Sequence, residues 1–431
     1  MALENKTADA ETGGGFRRFL RALGPGLITG ASDDDPSGIG TYSQAGAQIG
    51  YGIGWTMLLT FPLMVAIQEI SARIGRITGL GLAGNLRRHY PNWLLQVVVG
   101  LLFVANTINI AADLAAMGDA TKLLFGNPGL VSIVLFGLGS VVAEVFLSYA
   151  RYVMVLKWAT LSLFSYLGVL AVVHVPWSEA IAGVFVPRIT WDAAFTTTLV
   201  AILGTTISPY LFFWQASGEA EDQRVDPSKG PLLDLPGDAP REFRRIRADT
   251  MVGMAFSNII ALAIIIATAA TLNSQGVTRI ETSAQAAEAL KPIAGDFAQW
   301  IFALGIIGTG LLAIPVLAGS TAYAVGEAQQ WPVGLARRPR EALAFNFVLA
   351  LSVVLGIGFN FTPINPIQAL FWSAVVNGVL AVPVMIVMMI MATRRDIMRE
   401  FAVAGPLRWL GWLATVAMGI CVVAMGVTLV M

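Results

Sequence analysis

With 431 residues, 56% of them hydrophobic and only 13% charged, the chain is too apolar and too long to be one soluble core. Its 27 Lys and Arg balance 27 Asp and Glu, and a lone cysteine, Cys421, excludes an internal disulfide or a thiolate metal cluster. The pattern is that of a polytopic membrane protein.

Residues 1–18 are polar and Gly-rich, with no apolar run before a small-residue cleavage site, and read as a short cytosolic tail. The remainder, 19–431, reads as one transmembrane unit. Runs of roughly 20 apolar residues, the length a helix needs to cross hydrocarbon, recur through it. Eleven spans are expected, near 19–50, 54–76, 93–117, 129–149, 152–175, 193–219, 247–272, 296–326, 341–358, 365–391 and 406–430. The Pro- and Arg-containing segment 220–246 reads as a cytoplasmic connector, and 273–295 as an outer loop with a short surface helix around 284–290. When basic residues are sorted by alternate loops, 23 of the 27 fall on one side, leaving Lys122, Arg188, Arg279 and Lys291 on the other. Cytoplasmic loops hold such an excess, so the expected topology has the N-terminus inside and the C-terminus outside a cell membrane. His89 and His174 fall at span ends, which removes a histidine metal cluster.

The first span is interrupted by Asp33-Asp34-Asp35-Pro36-Ser37-Gly38. Pro36 removes an N–H and disfavours helix at Asp35, and Gly38 lets the chain turn, so two half-helices are expected. Irregular backbone survives in a membrane only where it is buried in protein or lines a cavity, and the freed carbonyls beside a carboxylate form an oxygen cage suited to Mg²⁺, Ca²⁺ or Mn²⁺. Three readings of the triplet stand open: Asp33 and Asp34 face an aqueous vestibule and Asp35 alone matters; two or more carboxylates share one divalent ion; or Asp-Pro is a structural turn. In the second span Glu69, four residues before Arg73, is expected to form a helix-face ion pair.

The sixth span is interrupted at Ile207-Ser208-Pro209, five spans after the first. That spacing fits two five-helix halves of inverted topology, each starting with a broken helix. Thr205 and Ser208 offer hydroxyl and carbonyl oxygens to the same site. Glu144 and Asn377 are intramembrane polar groups that either touch the permeation path or bond between helices.

These residues converge on a family. Gly24-Pro25-Gly26, Asp35-Pro36-Ser37-Gly38 and Gln44-Ala45-Gly46-Ala47-Gln48-Ile49-Gly50-Tyr51 resemble the first helix of the NRAMP divalent-metal transporters, whose motif there is Asp-Pro-Gly-Asn. Ser71-Ala72-Arg73-Ile74-Gly75, Ala111-Ala112-Asp113-Leu114-Ala115 and Gly319-Ser320-Thr321 match further spans. The resemblance implies an all-α, LeuT-type fold with alternating access. It departs at the site: Gly38 stands for the metal-binding Asn, Ser208 for the Met and Tyr210 for the His of the Met-Pro-His motif, and Ala116 for an acidic companion of Asp113. Replacing a thioether by oxygen removes a preference for transition metals. The departures therefore resemble the NRAMP-related magnesium branch.

The expected function is import of Mg²⁺, with Mn²⁺ accepted, driven without proton coupling because Tyr210 does not titrate as a histidine would. Asp35, Gly38, Thr205 and Ser208 are the expected metal residues, with Asp34, Asp113, Tyr210, Gln44, Asn377 and Glu144 supporting or gating. The rivals are a proton-coupled Mn²⁺/Fe²⁺ transporter, an amino-acid transporter of the same architecture, and a metal sensor without flux. No Gly-rich phosphate loop and no nucleophile with its base are present, so neither an ATP-driven pump nor an enzyme is expected, and no nucleic-acid partner or cofactor beyond the cargo cation.

Overall fold

Asp35 is where the first span stops and restarts. In this computed structural model, which describes residues 29–30, 32–126, 129–146, 163–226, 230–362 and 365–431, residues 29, 30, 32 and 33 are helical and Asp34 bends. Asp35 is extended (φ −69°, ψ 171°), and α1 begins at Pro36 and runs Pro36–Ile49. Pro36 at the first helical position loses nothing by lacking an N–H, because that donor has no intrahelical acceptor. Asp35 is the N-cap, its side chain accepting from Gly38 N at 2.7 Å. The expected tail, 1–18, lies outside the described residues.

The following elements are α2 (Trp55–Thr78), α3 (Leu82–His89), α4 (Asn92–Phe125), α5 (Gly129–Phe146), α6 (Phe164–Val172) and α7 (Trp177–Phe185). The sixth span is α8 (Ala193–Thr206) and α9 (Pro209–Val225), again with proline at the first position after the break. Then come α10 (Ala239–Thr271), the short α11 (Ser283–Glu288) and α12 (Lys291–Ala294), α13 (Ala298–Gln329), α14 (Leu343–Phe359), α15 (Pro366–Thr393), α16 (Arg395–Met398) and α17 (Gly405–Val430). Every expected span thus has its helix, the fifth described only from Leu163 onward. Among the described residues eight helices are long and apolar enough to cross a membrane, and α14 is a shorter apolar one. The connector between the sixth and seventh spans is shorter than 220–246, because α9 continues to Val225 and α10 starts at Ala239.

The broken spans lie at the centre. α1 packs on α8, α10 and α15, and α9 packs on α2 and α13. Close approach is enforced by missing side chains: a Cβ on Gly75 of α2 would lie 2.1 Å from Ala216 O of α9. At the periphery, α5 and α17 leave Leu135, Val142, Trp409, Ile420 and Val423 exposed, the apolar face a lipid bilayer covers.

The two ends of the bundle differ in charge. At the basic end, a lattice of ion pairs joins α2, α9 and α10: Glu69 meets Arg73 at 2.5 Å and Arg247 at 3.3 Å, Arg76 meets Glu242 at 3.1 Å, and Arg245 meets Glu219 at 2.5 Å and Glu242 at 3.0 Å. The Glu69–Arg73 pair is the one the helical spacing suggests. At the opposite end lies a cavity of about 440 Å³, lined by Gln44, Gln48, Arg279, Gln368 and Trp372 among others.

Candidate metal site at the helix breaks

The carboxylate of Asp35 is held from both sides. Oδ1 accepts from Gly38 N at 2.7 Å, and Oδ2 accepts from Asn109 Nδ2 of α4 at 2.9 Å. Asn109 also reaches Asp113 Oδ2 at 3.5 Å, one turn along α4, and its own Oδ1 accepts from Asn377 Nδ2 of α15 at 3.3 Å. A polar chain Asn377–Asn109–Asp35 therefore crosses three spans, with Asp113 at its side. All four side chains are buried, and Asp113 Oδ1 and Asn377 Oδ1 have no hydrogen-bond partner. Two unused oxygen acceptors next to a carboxylate are what an incoming cation, or the water it carries, can use.

The second break closes on the first. A Cβ built on Gly38 would lie 3.2 Å from Thr205 Oγ1 and 3.3 Å from Asp33 O, so glycine makes the contact between α1 and the end of α8 possible. Tyr210 OH donates to Ser32 O at 3.0 Å, taking up a carbonyl that the break of the first span releases. Thr29 Oγ1 donates to Gln215 Oε1, a second tie between the 29–33 stretch and α9. Ser208 behaves differently from the expectation that its hydroxyl faces the ion. Its Oγ donates to Gly204 O at 2.7 Å and Thr205 O at 3.0 Å, back onto the last turn of α8, because the helix ends at Thr206 and Pro209 has no N–H to offer Thr205 O.

The three aspartates do not converge. Asp33 and Asp34 are 0% and 1% exposed, so they do not face an aqueous vestibule. Both turn toward α10, where Ser257 Oγ lies 2.5 Å from Asp33 Oδ2 and 3.1 Å from Asp34 Oδ1. Asp35 points the other way, toward α4. No group of three or more His, Cys, Asp or Glu side chains able to hold a metal occurs among the described residues. A cation here would meet one carboxylate supplemented by amide, hydroxyl and backbone oxygens.

Gln44, two turns beyond the break, lies at the end of the bundle opposite the basic one. Its Nε2 donates to Thr278 O at 3.1 Å and its Oε1 accepts from Ile280 N at 2.9 Å, fastening the 277–281 segment to α1. Glu144 is not part of the cluster; it lies in the last turn of α5 beside Gly319. Sequence reasoning missed Asn109, Ser257 and the Ser37–Ser373 contact at 3.2 Å. A signal for the first existed: Asn106, Asn109 and Asp113 recur at three- and four-residue spacing, one polar stripe down an apolar helix. Asn106 uses that stripe to bond Leu317 O, Ser320 Oγ and Thr321 Oγ1 of α13.

The chain matches the family model described as "Natural resistance-associated macrophage protein-like" over residues 26–428. A relative from Acidiphilium cryptum, named divalent metal cation transporter MntH, is 27% identical over 409 residues, covering 91% of this chain and 86% of the relative. A protein of the same name from Burkholderia ambifaria is 26% identical, with 93% and 87% covered. Among solved structures, a manganese transporter of Eremococcus coleocola, crystallised with an aromatic bis-isothiourea compound, superposes with TM-score 0.71 at 16% identity, covering 96% of this chain and 88% of that one. MhsT in complex with L-phenylalanine superposes with TM-score 0.59 at 12% identity, over 94% and 97% of the two chains. At such identities these two show the fold: a LeuT-type helical arrangement with broken first and sixth spans.

Proposed function

We propose, from the premise that this chain belongs to the Nramp family of metal ion transporters and is no enzyme, that it imports hard divalent cations, Mn²⁺ and Mg²⁺, through the site at Asp35. The observation that carries this reading is a buried carboxylate at a helix break with oxygen-bearing groups gathered about it: Asn109, Asn377, Thr205, Asp113 and freed carbonyls. Such a donor set suits hard cations and does not favour iron over magnesium. The names of the relatives speak for Mn²⁺ as cargo. The Gly38, Ser208 and Tyr210 replacements speak for Mg²⁺ beside it, as in the magnesium branch of the family, since a site relieved of an Asn amide and a Met leaves room for a partly hydrated ion.

In this reading the basic end is cytoplasmic. The cation enters the 440 Å³ cavity at the opposite end, passes Gln44 and α1, and reaches the Asp35 carboxylate, whose Oδ2 stays held by the Asn109 amide. Release inward requires α9 to leave α2 and α10, which means breaking the ion pairs that Asp222 and Glu219 of α9 make with Arg76 and Arg245. Two charges moving through 100 mV gain about 4.6 kcal/mol, enough to drive uptake without a second ion. Proton-coupled Mn²⁺/Fe²⁺ uptake is the second reading, and the similarity to relatives named MntH and to a solved manganese transporter favours it.

The test is Mn²⁺ and Mg²⁺ flux into liposomes with an internal pH dye, with and without a pH gradient. Both ions entering through the wild type, and neither through Asp35→Ala, supports the site. Unchanged flux in Asp35→Ala removes it. Internal acidification that tracks Mn²⁺ entry selects the second reading.

A further inference from the structure

Glu144 is a carboxylate for which the transport site has no use. Both of its oxygens are buried and neither has a hydrogen-bond partner. It meets two other elements at Gly319 of α13, where a Cβ would lie 2.7 Å from the Trp214 ring and 3.4 Å from Glu144 Oε1. Glycine at 319 leaves the space in which the α9 indole and the α5 carboxyl converge. Trp214 also meets Tyr323 edge-on, with ring centroids 6.1 Å apart. Tyr323 hydrogen-bonds Glu221, whose carboxylate accepts from Leu335 N at 3.3 Å and Ala336 N at 2.7 Å. The indole thus neighbours both the Gly319 gap that Glu144 borders and a tyrosine tied to a loop at the basic end.

Among the described residues no positive charge faces this carboxyl. α5 packs on α4, α13 and α14. α14 carries no ionisable side chain, α4 carries none before Asp113, and α13 carries none before Tyr323 and Glu327. On α9 the groups flanking Trp214 are committed elsewhere: Tyr210 to Ser32 O, and Glu219 to Arg245. Glu327 accepts from Gly84 N and Ser217 Oγ. An ionised carboxylate with both oxygens buried and no partner side chain inside a bilayer costs far more than its neutral acid. α9 is the half-helix after the second break, and its departure from α2 takes Trp214 with it.

Resting on the transport reading above, we propose that Glu144 is a proton-binding site coupled to opening of the basic end. While that end is closed, the carboxyl keeps its proton under Trp214. When α9 moves and water reaches the pocket, the O–H bond breaks, the proton passes to water on the basic side, and a hydrated carboxylate remains. Closing again requires that the carboxylate take a proton back from that water. A single proton linked to opening shifts the opening equilibrium by up to about tenfold per pH unit, with high internal pH favouring the open form.

Infrared difference spectra of the purified protein test this directly. Wild type minus Glu144→Gln is expected to contain a protonated-carboxyl stretch that moves in D₂O, and Glu144→Asp to restore such a band at a shifted frequency. In liposomes, Mn²⁺ flux through wild type is expected to rise with internal pH, and flux through Glu144→Gln, which mimics the acid, to lose that dependence. Superimposable spectra, or an unchanged pH profile in Glu144→Gln, would overturn the assignment. Absence of Mn²⁺ and Mg²⁺ flux in the wild type would instead sink the transport reading while leaving the infrared band in place.

Discussion

Gly38 and Thr205 touch across the two helix breaks: a side chain on the first would begin 3.2 Å from the hydroxyl of the second. That spacing is tighter than ordinary van der Waals contact, so Gly38→Ala forces α1 away from α8 at the level of the site. Removing the hydroxyl opposite should give the added methyl room. Gly38→Ala is therefore expected to lower Mn²⁺ flux, and Thr205→Ala in the same chain to restore part of it. The cycle read by liposome uptake should show a coupling on the order of 0.5–3 kcal/mol, as for residues in contact. Strictly additive losses would mean that the two positions do not meet.

Asn109 is the partner that fixes Asp35. It donates to Oδ2 at 2.9 Å and is itself steadied by Asn377 at 3.3 Å. Groups that orient a metal-binding carboxylate typically contribute about 10–100-fold in affinity. Asn109→Ala is expected to weaken Mn²⁺ binding, measured by calorimetry, within that range, and Asn377→Ala to weaken it less because it acts through Asn109. An Asn377 effect larger than that of Asn109 would place the amide of α15 on the ion itself.

The fold was legible because a bilayer demands long apolar helices and because proline and glycine mark where they break. Asp35-Pro36 and Ser208-Pro209 announce both interruptions, and each proline sits at the first position of a restarting helix. Side-chain direction was not legible. Nothing in a run of three aspartates tells that two turn to Ser257 and one to Asn109, since that depends on which neighbour each half-helix meets. Ser208 shows the same limit. A hydroxyl beside a break can face the ion or satisfy its own helix, and only the local lack of donors for Gly204 O and Thr205 O decides for the second.

The ion pairs at the basic end tie α2, α9 and α10 together. Glu219 is fully buried and meets Arg245 at 2.5 Å, so its charge depends on that guanidinium. Removing one partner of a buried pair typically costs about 3–5 kcal/mol, because the other charge is stranded. Arg245→Ala is expected to lower the thermal midpoint in detergent clearly more than Arg247→Ala, whose guanidinium is largely exposed beside Glu69. Equal shifts for the two would show that burial of Glu219 does not carry the lattice.

Gln44 fastens the end of the bundle opposite the basic one. Its amide bonds both Thr278 O and Ile280 N, while Asn365 Nδ2 holds Glu281 O at 3.0 Å from α15. Gln44→Ala removes two of these ties without touching Asp35. A cysteine placed at Arg279, on the wall of the 440 Å³ cavity, is expected to react faster with a membrane-impermeant thiol reagent in the Gln44→Ala background, while metal affinity stays within about twofold, well under one tenfold step of 1.4 kcal/mol. No change in labelling would remove the latch.

Selectivity should follow the chemistry of position 208. The serine hydroxyl is spent on Gly204 O and Thr205 O, so Ser208→Met trades a capped helix end for a thioether near the site. The freed carbonyls must then find water, and a modest loss of total transport is expected. A soft sulfur favours Mn²⁺, Fe²⁺ and Cd²⁺ over Mg²⁺, which binds sulfur poorly and holds its waters. Gly38→Asn adds an amide oxygen and fills the space beside Thr205, further disfavouring a hydrated ion. The double variant is expected to lose Mg²⁺ uptake by at least about tenfold relative to Mn²⁺ in competition flux, a difference of roughly 1.4 kcal/mol between the two ions. If Mg²⁺ still competes with Mn²⁺ as it does in the wild type, positions 38 and 208 do not set the choice, and the selectivity of this protein has to be sought in the Asn109, Asp113 and Asn377 shell.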